Sequence, residues 1–375
     1  MEIKILVVED DENEIENYIR KLADFSEDHD INFIATYTKS AEDAILKLKS
    51  YNFDAVFVDL ILEGDTTTEP GSGESVLQYL LSLKADKVIT FVVSSTVQAM
   101  SNDIAEKFEN PLMNKYDRDA GQLDDALTKL HKISKTGLTK VIGLEGGLKK
   151  YIDIIYQEHL AKSFESWLES ENVTENELLR FFSQRLVEFF DGNTVESGQS
   201  DNEVKYLPGE FYITPPIRKL IGTGDLISLN NKNYIVLSPS CDLVPRQTEK
   251  KGEYIFNVER VICAEIIRLD KNIVVDREIS LNSKGESNTK AWKKFSDNMK
   301  TPGIKNRFHY LPSFMHLEES FVDFKALQSF KMEEIQSPSE LKTNRIASVS
   351  SPFVKDIQGR FASYYARQGQ PVGQW

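Results

Sequence analysis

The chain has 375 residues, of which 40% are hydrophobic and 28% are charged, and its net charge is −14 at pH 7. This composition excludes a fibrous or largely disordered chain, and the length predicts two or three domains. Two cysteines are too few for a disulfide framework, and no apolar stretch reaches the roughly 20 residues of a membrane span. We therefore expect a cytoplasmic protein without a membrane partner. Residues 1–140 carry about −12 of the net charge, which argues against nucleic acid binding by that part.

The first 138 residues alternate between short apolar runs, typical of buried strands, and amphipathic stretches, typical of helices. The predicted strands are Ile3–Val8, Asn32–Tyr37, Asp54–Leu60, Val88–Val93 and Leu112–Asn114. The predicted helices are Glu12–Phe25, Ser40–Ser50, Gly73–Leu83, Gln98–Phe108 and Gln122–Lys135. Five successive strand–helix units predict a doubly wound, five-stranded parallel sheet, so we assign residues 1–138 to an α/β domain.

Acidic residues follow two of these strands directly. Glu9 and Asp10 come after the first strand, and Asp59 comes at the end of the third. Ligands bind outside the carboxyl ends of the strands in an open α/β sheet, so we expect these three side chains to converge. Three neighbouring carboxylates repel one another unless a hard divalent cation lies among them, and Mg²⁺ suits oxygen ligands and water. A carboxylate beside a metal-polarised phosphoryl group can act as a nucleophile.

This pattern resembles the receiver domain of two-component response regulators. The resemblance implies a flavodoxin-like fold in which Asp59 accepts a phosphoryl group from a partner histidine kinase, with Mg²⁺ as cofactor. It implies metal ligands from the carboxylates and from one backbone carbonyl, namely Glu9, Asp10, Asp59 and Ile61. It also implies that a hydroxyl group at the end of the fourth strand and a lysine at the end of the fifth complete the catalytic group with Asp59, namely Ser94 and Lys115.

The sequence departs from the receiver pattern at two places near Asp59. Lys115 is followed by Tyr116, where the family usually has proline, and the loop Glu63–Gly73 is longer than usual. Both departures flank Asp59, next to the surface that changes conformation on phosphorylation in receiver domains. They motivate an alternative in which the receiver is a non-switching dimerisation or docking scaffold of a multiprotein assembly, such as a defence system.

Residues 139–203 predict a helical connector followed by a linker. Leu148–Trp167 and Glu175–Phe190 are helical by their apolar spacing, and Asp191–Glu203 is polar and lacks periodicity. The apolar faces of the helices are wider than one helical partner needs. We therefore expect a rigid junction, with these faces covered within a homodimer.

In residues 204–375 the sequence pattern changes from helical spacing to short apolar runs typical of β-strands. Gly224–Leu229 and Tyr234–Ser238 predict a hairpin, Glu253–Asn257 and Val261–Leu269 predict further strands, and Ser351–Arg367 predicts a final helix. We expect a small antiparallel β-barrel with a C-terminal helix, so the whole chain is a multidomain α/β and α+β protein. The hairpin, with its Gly-Asp start and Ser-Pro end, resembles SH3-like barrels of the toxin endoribonuclease type (PemK/MazF-like).

That second resemblance raises RNA binding or RNA cleavage as a further alternative. The candidate bases are Asp242 and His309, and the candidate cations are Arg246 and Arg360. The sequence contains no recognition-helix motif, so RNA is favoured over duplex DNA. A buried Cys241 beside a turn-forming aspartate is favoured over a thiolate nucleophile. The leading hypothesis is a response regulator whose receiver controls a non-standard effector domain, with no enzymatic activity expected beyond the receiver's own phosphotransfer and dephosphorylation.

Overall fold

The computed structural model describes twelve stretches of the chain: residues 2–62, 72–82, 88–96, 100–106, 112–118, 120–142, 146–169, 173–192, 206–247, 254–268, 307–336 and 344–367. The chain divides into two compact units, Met1–Asp201 and Asn202–Trp375. Within the described stretches, no helix combines the length and the apolar character that a membrane crossing requires.

The first unit contains a five-stranded parallel sheet. Its strands are β1 (Glu2–Val8), β2 (Asn32–Thr38), β3 (Ala55–Val58), β4 (Ile89–Ser94) and β5 (Met113–Asp117), in the spatial order β2-β1-β3-β4-β5. This is the flavodoxin-like strand order. Successive strands are added on one side of β1 as far as β2 and on its other side from β3 onward, so the topological switch point lies between β1 and β3. The predicted fold of the first unit is therefore confirmed by the strand order itself.

Helices cover both faces of this sheet. They are α1 (Glu12–His29), α2 (Ala41–Ser50), α3 (Gly73–Ser82), α4 (Asn102–Ala105) and α5 (Leu123–Lys135). One core forms between α1, α5 and the sheet, and a second forms between α2, α3, α4 and the other face. Because the central strands are buried on both faces, they read as continuous apolar runs in the sequence. The predicted N-cap of α2 is confirmed, since Ser40 accepts a hydrogen bond from the backbone N–H of Asp43 at 3.3 Å.

Further helices follow the sheet in the same unit. They are α6 (Leu138–Ile142), α7 (Gly147–Ile154), which runs through a π-helical turn (Ile155–Leu160) into α8 (Ala161–Leu168), and α9 (Glu175–Gly192). Ile155, Leu160 and Phe181 form a small core between them. Tyr156 and Leu168 remain 55% and 63% exposed in the single chain, so the covering of this face by a second copy stays a prediction.

The second unit contains a seven-stranded antiparallel sheet. Its spatial order is β12-β13-β11-β8-β7-β14-β6. The strands are β6 (Tyr212–Ile213), β7 (Asp225–Leu229), β8 (Lys232–Val236), β11 (Arg260–Arg268), β12 (Phe308–Leu311), β13 (Ser320–Lys331) and β14 (Arg345–Val349). A separate two-stranded sheet pairs β9 (Pro245–Gln247) with β10 (Tyr254–Phe256). Three helices accompany them: α10 (Pro208–Phe211), α11 (Met332–Ile335) and α12 (Ser351–Tyr365).

Both faces of the seven-stranded sheet are packed. Along β7, Leu226 faces one core and Ile227 faces the other, as expected for side chains that alternate along a strand. The predicted hairpin is confirmed: Asn230 and Asn231, with φ of 52° and 60°, connect β7 to β8 in the two-residue turn that matches strand twist. Phe353, Phe361 and Tyr364 of α12 pack against one core of the sheet, whereas Tyr365 is 60% exposed.

The predicted SH3-like barrel is not supported. In the described part of the chain, backbone pairing leaves β12 and β6 as the two edges of an open sheet. The edges are linked instead by a side chain, since the Tyr212 hydroxyl donates to the carbonyl oxygen of Pro312 at 2.8 Å. Within the described residues, the backbone pairing of the sheet is therefore open.

Candidate metal centre

Three carboxylates meet at the carboxyl edge of the parallel sheet. The backbone N–H of Glu9 donates to the carbonyl of Thr38 at 2.9 Å, and that of Asp59 donates to the carbonyl of Val8 at 2.9 Å, so both residues extend the strand ladder by one position. Carboxylate oxygens of Glu9, Asp10 and Asp59 all lie within 4.8 Å of one another. The structure thus brings together the three acidic side chains that the strand ends predicted.

Two of these carboxylates are almost completely buried. Glu9 is 1% exposed and Asp59 is 7% exposed. Burial raises the pKa of Glu9 to about 7; the positive charge of Arg118 opposes this shift, and the negative charges of Asp59 and Asp10 add to it. A buried group of like charges is stable only with a cation among the oxygens or a proton on one of them.

The donor set fits Mg²⁺ by its chemistry. All three side chains offer hard oxygen donors, and two or three carboxylates with water complete the coordination that Mg²⁺ prefers. The backbone of Ile61 also lies at this edge, because its N–H donates to Asp59 Oδ1 at 3.4 Å. The role of the Ile61 carbonyl as a metal ligand stays a prediction.

Arg118 is a cation that contacts two of these carboxylates. Its Nη2 atom donates to Asp59 Oδ2 and lies 3.2 Å from Glu9 Oε2. Its side chain is only 18% exposed. The sequence did not predict this residue, because the basic residue that follows the predicted fifth strand, Leu112–Asn114, is Lys115.

The position of Lys115 corrects the predicted end of the fifth strand. We predicted that the strand stops at Asn114, which would leave Lys115 at the sheet edge. In the structure β5 continues to Asp117, which pairs with Ser94, while Lys115 pairs with Val92 in mid-strand and is exposed. The residue just beyond the strand is therefore Arg118, and the catalytic role of Lys115 stays a prediction.

Ser94 ends β4 as predicted and is completely buried. Its Oγ lies 3.3 Å from the Thr96 hydroxyl and accepts from the Thr96 backbone N–H at the same distance. Its carbonyl accepts from the backbone N–H of Arg118 at 3.3 Å. Ser94 therefore links the end of β4 to the residue that contacts Asp59.

Gly73 fixes how α3 approaches the site. The backbone N–H of Gly73 donates to the carbonyl of Leu60 at 3.2 Å. A Cβ at Gly73 would overlap the backbone oxygen of Asp59 and lie 2.9 Å from Cα of Leu60. Only glycine permits this close approach, which the sequence alone did not reveal.

The candidate residues in the second unit do not form a comparable site. His309 is 6% exposed, its Nδ1 lies 2.9 Å from the carbonyl of Tyr310, and its Nε2 lies 2.9 Å from Asp356. The His309 hydrogen bond, opposed by burial and aided by Arg360, lowers the pKa of Asp356 to about 2. Both ring nitrogens are engaged, so His309 joins β12 to α12 and is not available as a base.

The remaining candidates in this unit lie elsewhere. Arg246 belongs to the short strand β9. Asp242 lies in a turn after β8, and its Oδ1 is 3.6 Å from the Cys241 sulfur. The favoured interpretation of Cys241 as a buried residue is wrong, because Cys241 is exposed and Cys263 is the buried cysteine.

No family model matches the sequence, and no curated protein matches it. Solved receiver structures resemble part of the chain. A response regulator receiver domain from Methylobacillus flagellatus has 23% identity and a TM-score of 0.26, over 35% of this chain and 99% of its own. Response regulator TrrA from Thermotoga maritima, in complex with Mg²⁺ and BeF, has 21% identity and a TM-score of 0.27, over 34% and 98%. The receiver domain of a sensor histidine kinase from Pseudomonas aeruginosa, with magnesium in its active site cleft, has 14% identity and a TM-score of 0.23, over 31% and 85%.

Proposed function

We propose that the first unit is a phosphoryl-accepting receiver that regulates the second unit. Asp59 is the acceptor, a histidine kinase is the donor, and Mg²⁺ is the cofactor, held by Glu9, Asp10 and Asp59 with the Ile61 carbonyl. The observation that carries this proposal is the convergence of three carboxylates at the topological switch point of a parallel sheet ordered β2-β1-β3-β4-β5.

The chain's own residues define the transfer. A carboxylate oxygen of Asp59 attacks the phosphorus of a phosphohistidine, so that a P–O bond forms, the P–N bond breaks and the imidazole leaves. When bound, Mg²⁺ would offset the charge of the phosphoryl oxygens. The backbone N–H of Arg118, which follows β5, donates to the carbonyl of Ser94, which ends β4, at 3.3 Å. A phosphoryl group that draws either side chain towards Asp59 would therefore move the ends of both β4 and β5.

Beryllofluoride with Mg²⁺ tests the acceptor, because it mimics an acyl phosphate on a carboxylate. We expect the wild type to bind it and Asp59→Asn to lose binding by more than about a hundredfold, since an amide cannot form the bond. ¹⁹F NMR measures bound beryllofluoride directly. Asp124→Asn is the matched control: it removes an exposed carboxylate of the same unit that pairs with Lys21. Equal binding by the wild type and Asp59→Asn would refute the proposal.

The raised pKa of Glu9 predicts that metal affinity depends on pH. A ligand carboxylate must lose its proton, and the pKa of Glu9 is about 7, so Mg²⁺ binding should weaken by about tenfold between pH 8 and pH 6. In the metal-free protein the folded pKa lies above the ordinary 4.5, so this group's contribution to stability falls as pH rises from 4.5 to 7. Isothermal titration calorimetry at several pH values measures the affinity. Glu9→Gln should bind more weakly and without this dependence; an unchanged pH profile would contradict the assignment.

A non-switching scaffold is the second candidate function. It is favoured by the apolar side chains that α7, α8 and α9 leave exposed, including Tyr156, Leu168 and Val187, the last of which is 56% exposed. We infer that a second copy of the chain covers this face in a homodimer. Light scattering with and without beryllofluoride separates the two candidates: a dimer that is indifferent to the analogue favours the scaffold, and a mass that changes with the analogue favours the switch.

A further inference from the structure

The guanidinium of Arg118 contacts two of the three carboxylates that would hold a metal ion. One nitrogen, Nη2, reaches Asp59 Oδ2, Glu9 Oε2 and the carbonyl oxygen of Val93, the last at 3.5 Å. These oxygens belong to residues at the ends of three neighbouring strands, β1, β3 and β4, and the three residues are mostly buried. Arg118 therefore lies inside the acidic cluster and not at its rim.

A guanidinium and a metal ion compete for these carboxylates. Like charges a few ångströms apart repel strongly where the surroundings are mostly protein, and each carboxylate oxygen bound to a guanidinium has lost part of its capacity to donate to a metal. Binding of a divalent cation thus requires Arg118 to leave Asp59 and Glu9. The arginine-bound and metal-bound arrangements exclude each other.

The loop that carries Arg118 holds the guanidinium close to the site. The backbone N–H of Asp117 donates to Gln122 Oε1 at 2.9 Å, and the backbone N–H of Gly121 donates to the carbonyl of Arg118 at 2.9 Å. The Arg118 backbone also stays on the strand ladder through Ser94. A side chain tethered in this way competes at a high effective concentration, independent of the cations in solution.

We propose that Arg118 is a tethered competitor of the metal ion, which closes the site in the metal-free protein and sets the concentration of divalent cation at which the site opens. This inference deepens the proposed function and rests on its metal site. The apparent metal affinity is the intrinsic affinity reduced by the fraction of molecules in which Arg118 has left the carboxylates. Removing the guanidinium should therefore tighten metal binding, whereas removing a residue that positions the ligands would weaken it.

Mn²⁺ binding to the full chain tests the competition, with free Mn²⁺ measured by electron paramagnetic resonance. We expect Arg118→Ala to lower the Mn²⁺ dissociation constant by about tenfold or more, because hydrogen bonds between charged groups contribute more than that factor to an equilibrium. Arg118→Gln should act in the same direction, and it keeps a hydrogen-bond donor near the buried carboxylates if the alanine variant fails to fold. Arg20→Ala, which removes an exposed arginine of α1 that donates to Asn17, should leave the constant unchanged.

The outcomes separate this inference from the proposed function. Unchanged or weaker Mn²⁺ binding in the folded Arg118 variants overturns the competition, even if the wild type binds beryllofluoride at Asp59. Tighter Mn²⁺ binding in the variants, combined with a wild type that does not bind beryllofluoride, overturns the phosphoacceptor role and leaves the competition standing. Failure of both Arg118 variants to bind Mn²⁺ at all, in folded protein, also overturns the competition.

Discussion

Replacing Asp225 with alanine should unfold most of the second unit at moderate denaturant concentration. Asp225 is completely buried, and its two oxygens accept four hydrogen bonds: from Arg218 at 2.9 Å, Ser348 Oγ at 2.6 Å, the Gly222 N–H at 2.7 Å and Arg345 at 3.3 Å. Removing one partner of a buried ion pair costs about 3–5 kcal/mol, because the other charge is left without compensation. Here that charge belongs to Arg345, whose side chain is 6% exposed.

The loss is large relative to the total stability of a domain, which is about 5–15 kcal/mol. Urea denaturation followed by circular dichroism should therefore show an early transition for Asp225→Ala. Glu318→Ala is the matched control, because it removes an exposed carboxylate of the same unit that lies 3.2 Å from Arg268. Exposed pairs contribute less than about 1 kcal/mol. Coinciding unfolding curves for Asp225→Ala and the wild type would show that the buried network does not stabilise the unit.

Gly73→Ala should destabilise the first unit and impair the metal centre together. The added Cβ would overlap the backbone oxygen of Asp59 and crowd Cα of Leu60, and neither atom belongs to a flexible side chain that can rotate away. The start of α3 or the end of β3 must therefore move. Overpacking of a well-packed region costs about 1–3 kcal/mol and sometimes more.

Helix propensity opposes this effect, since alanine in place of glycine stabilises a helix by up to about 1 kcal/mol. The steric cost of the added Cβ exceeds the gain in helix propensity, so we expect Gly73→Ala to lower the stability of the first unit. Gly359→Ala is the control, because Gly359 lies in α12 with open space around its Cβ position. There only the gain in helix propensity applies, so we expect this variant to be as stable as the wild type or more stable. Thermal unfolding and Mn²⁺ titration of both variants measure the two effects. A Gly73→Ala protein as stable as the wild type would mean that the contact between α3 and Asp59 relaxes freely.

The parts of the fold that follow from local sequence were predicted well. The parallel sheet follows from apolar runs of strand length, and the meeting of Glu9 with Asp59 follows from the rule that ligand sites lie at strand carboxyl ends. The contact of Arg118 with Asp59 did not follow, because it depends on where β5 ends. That end is determined by pairing with β4, including the Ser94–Asp117 register, and not by the apolarity of β5 itself.

The second unit was predicted less completely for a related reason. Its sheet is assembled from strands far apart in the chain, and the ion pair between Asp225 and Arg345 joins residues 120 positions apart. The hairpin of β7 and β8 was predicted because its turn is local. Strand β12, whose four residues gain their place by pairing with β13, was not. A strand of four residues is too short to show a periodic pattern, and partners 120 positions apart leave no periodic signal in a single sequence.

The two edge strands of the seven-stranded sheet, β6 and β12, affect how readily the protein aggregates at high concentration. An open sheet ends in unpaired N–H and C=O groups, which can recruit a strand from another molecule and start aggregation. Here the two edge strands are two and four residues long, and the Tyr212 hydroxyl spans from one edge to the other. Edges this short offer little template for an added strand. In the part of the chain that the structure describes, the short edges therefore limit growth of the sheet by an added strand.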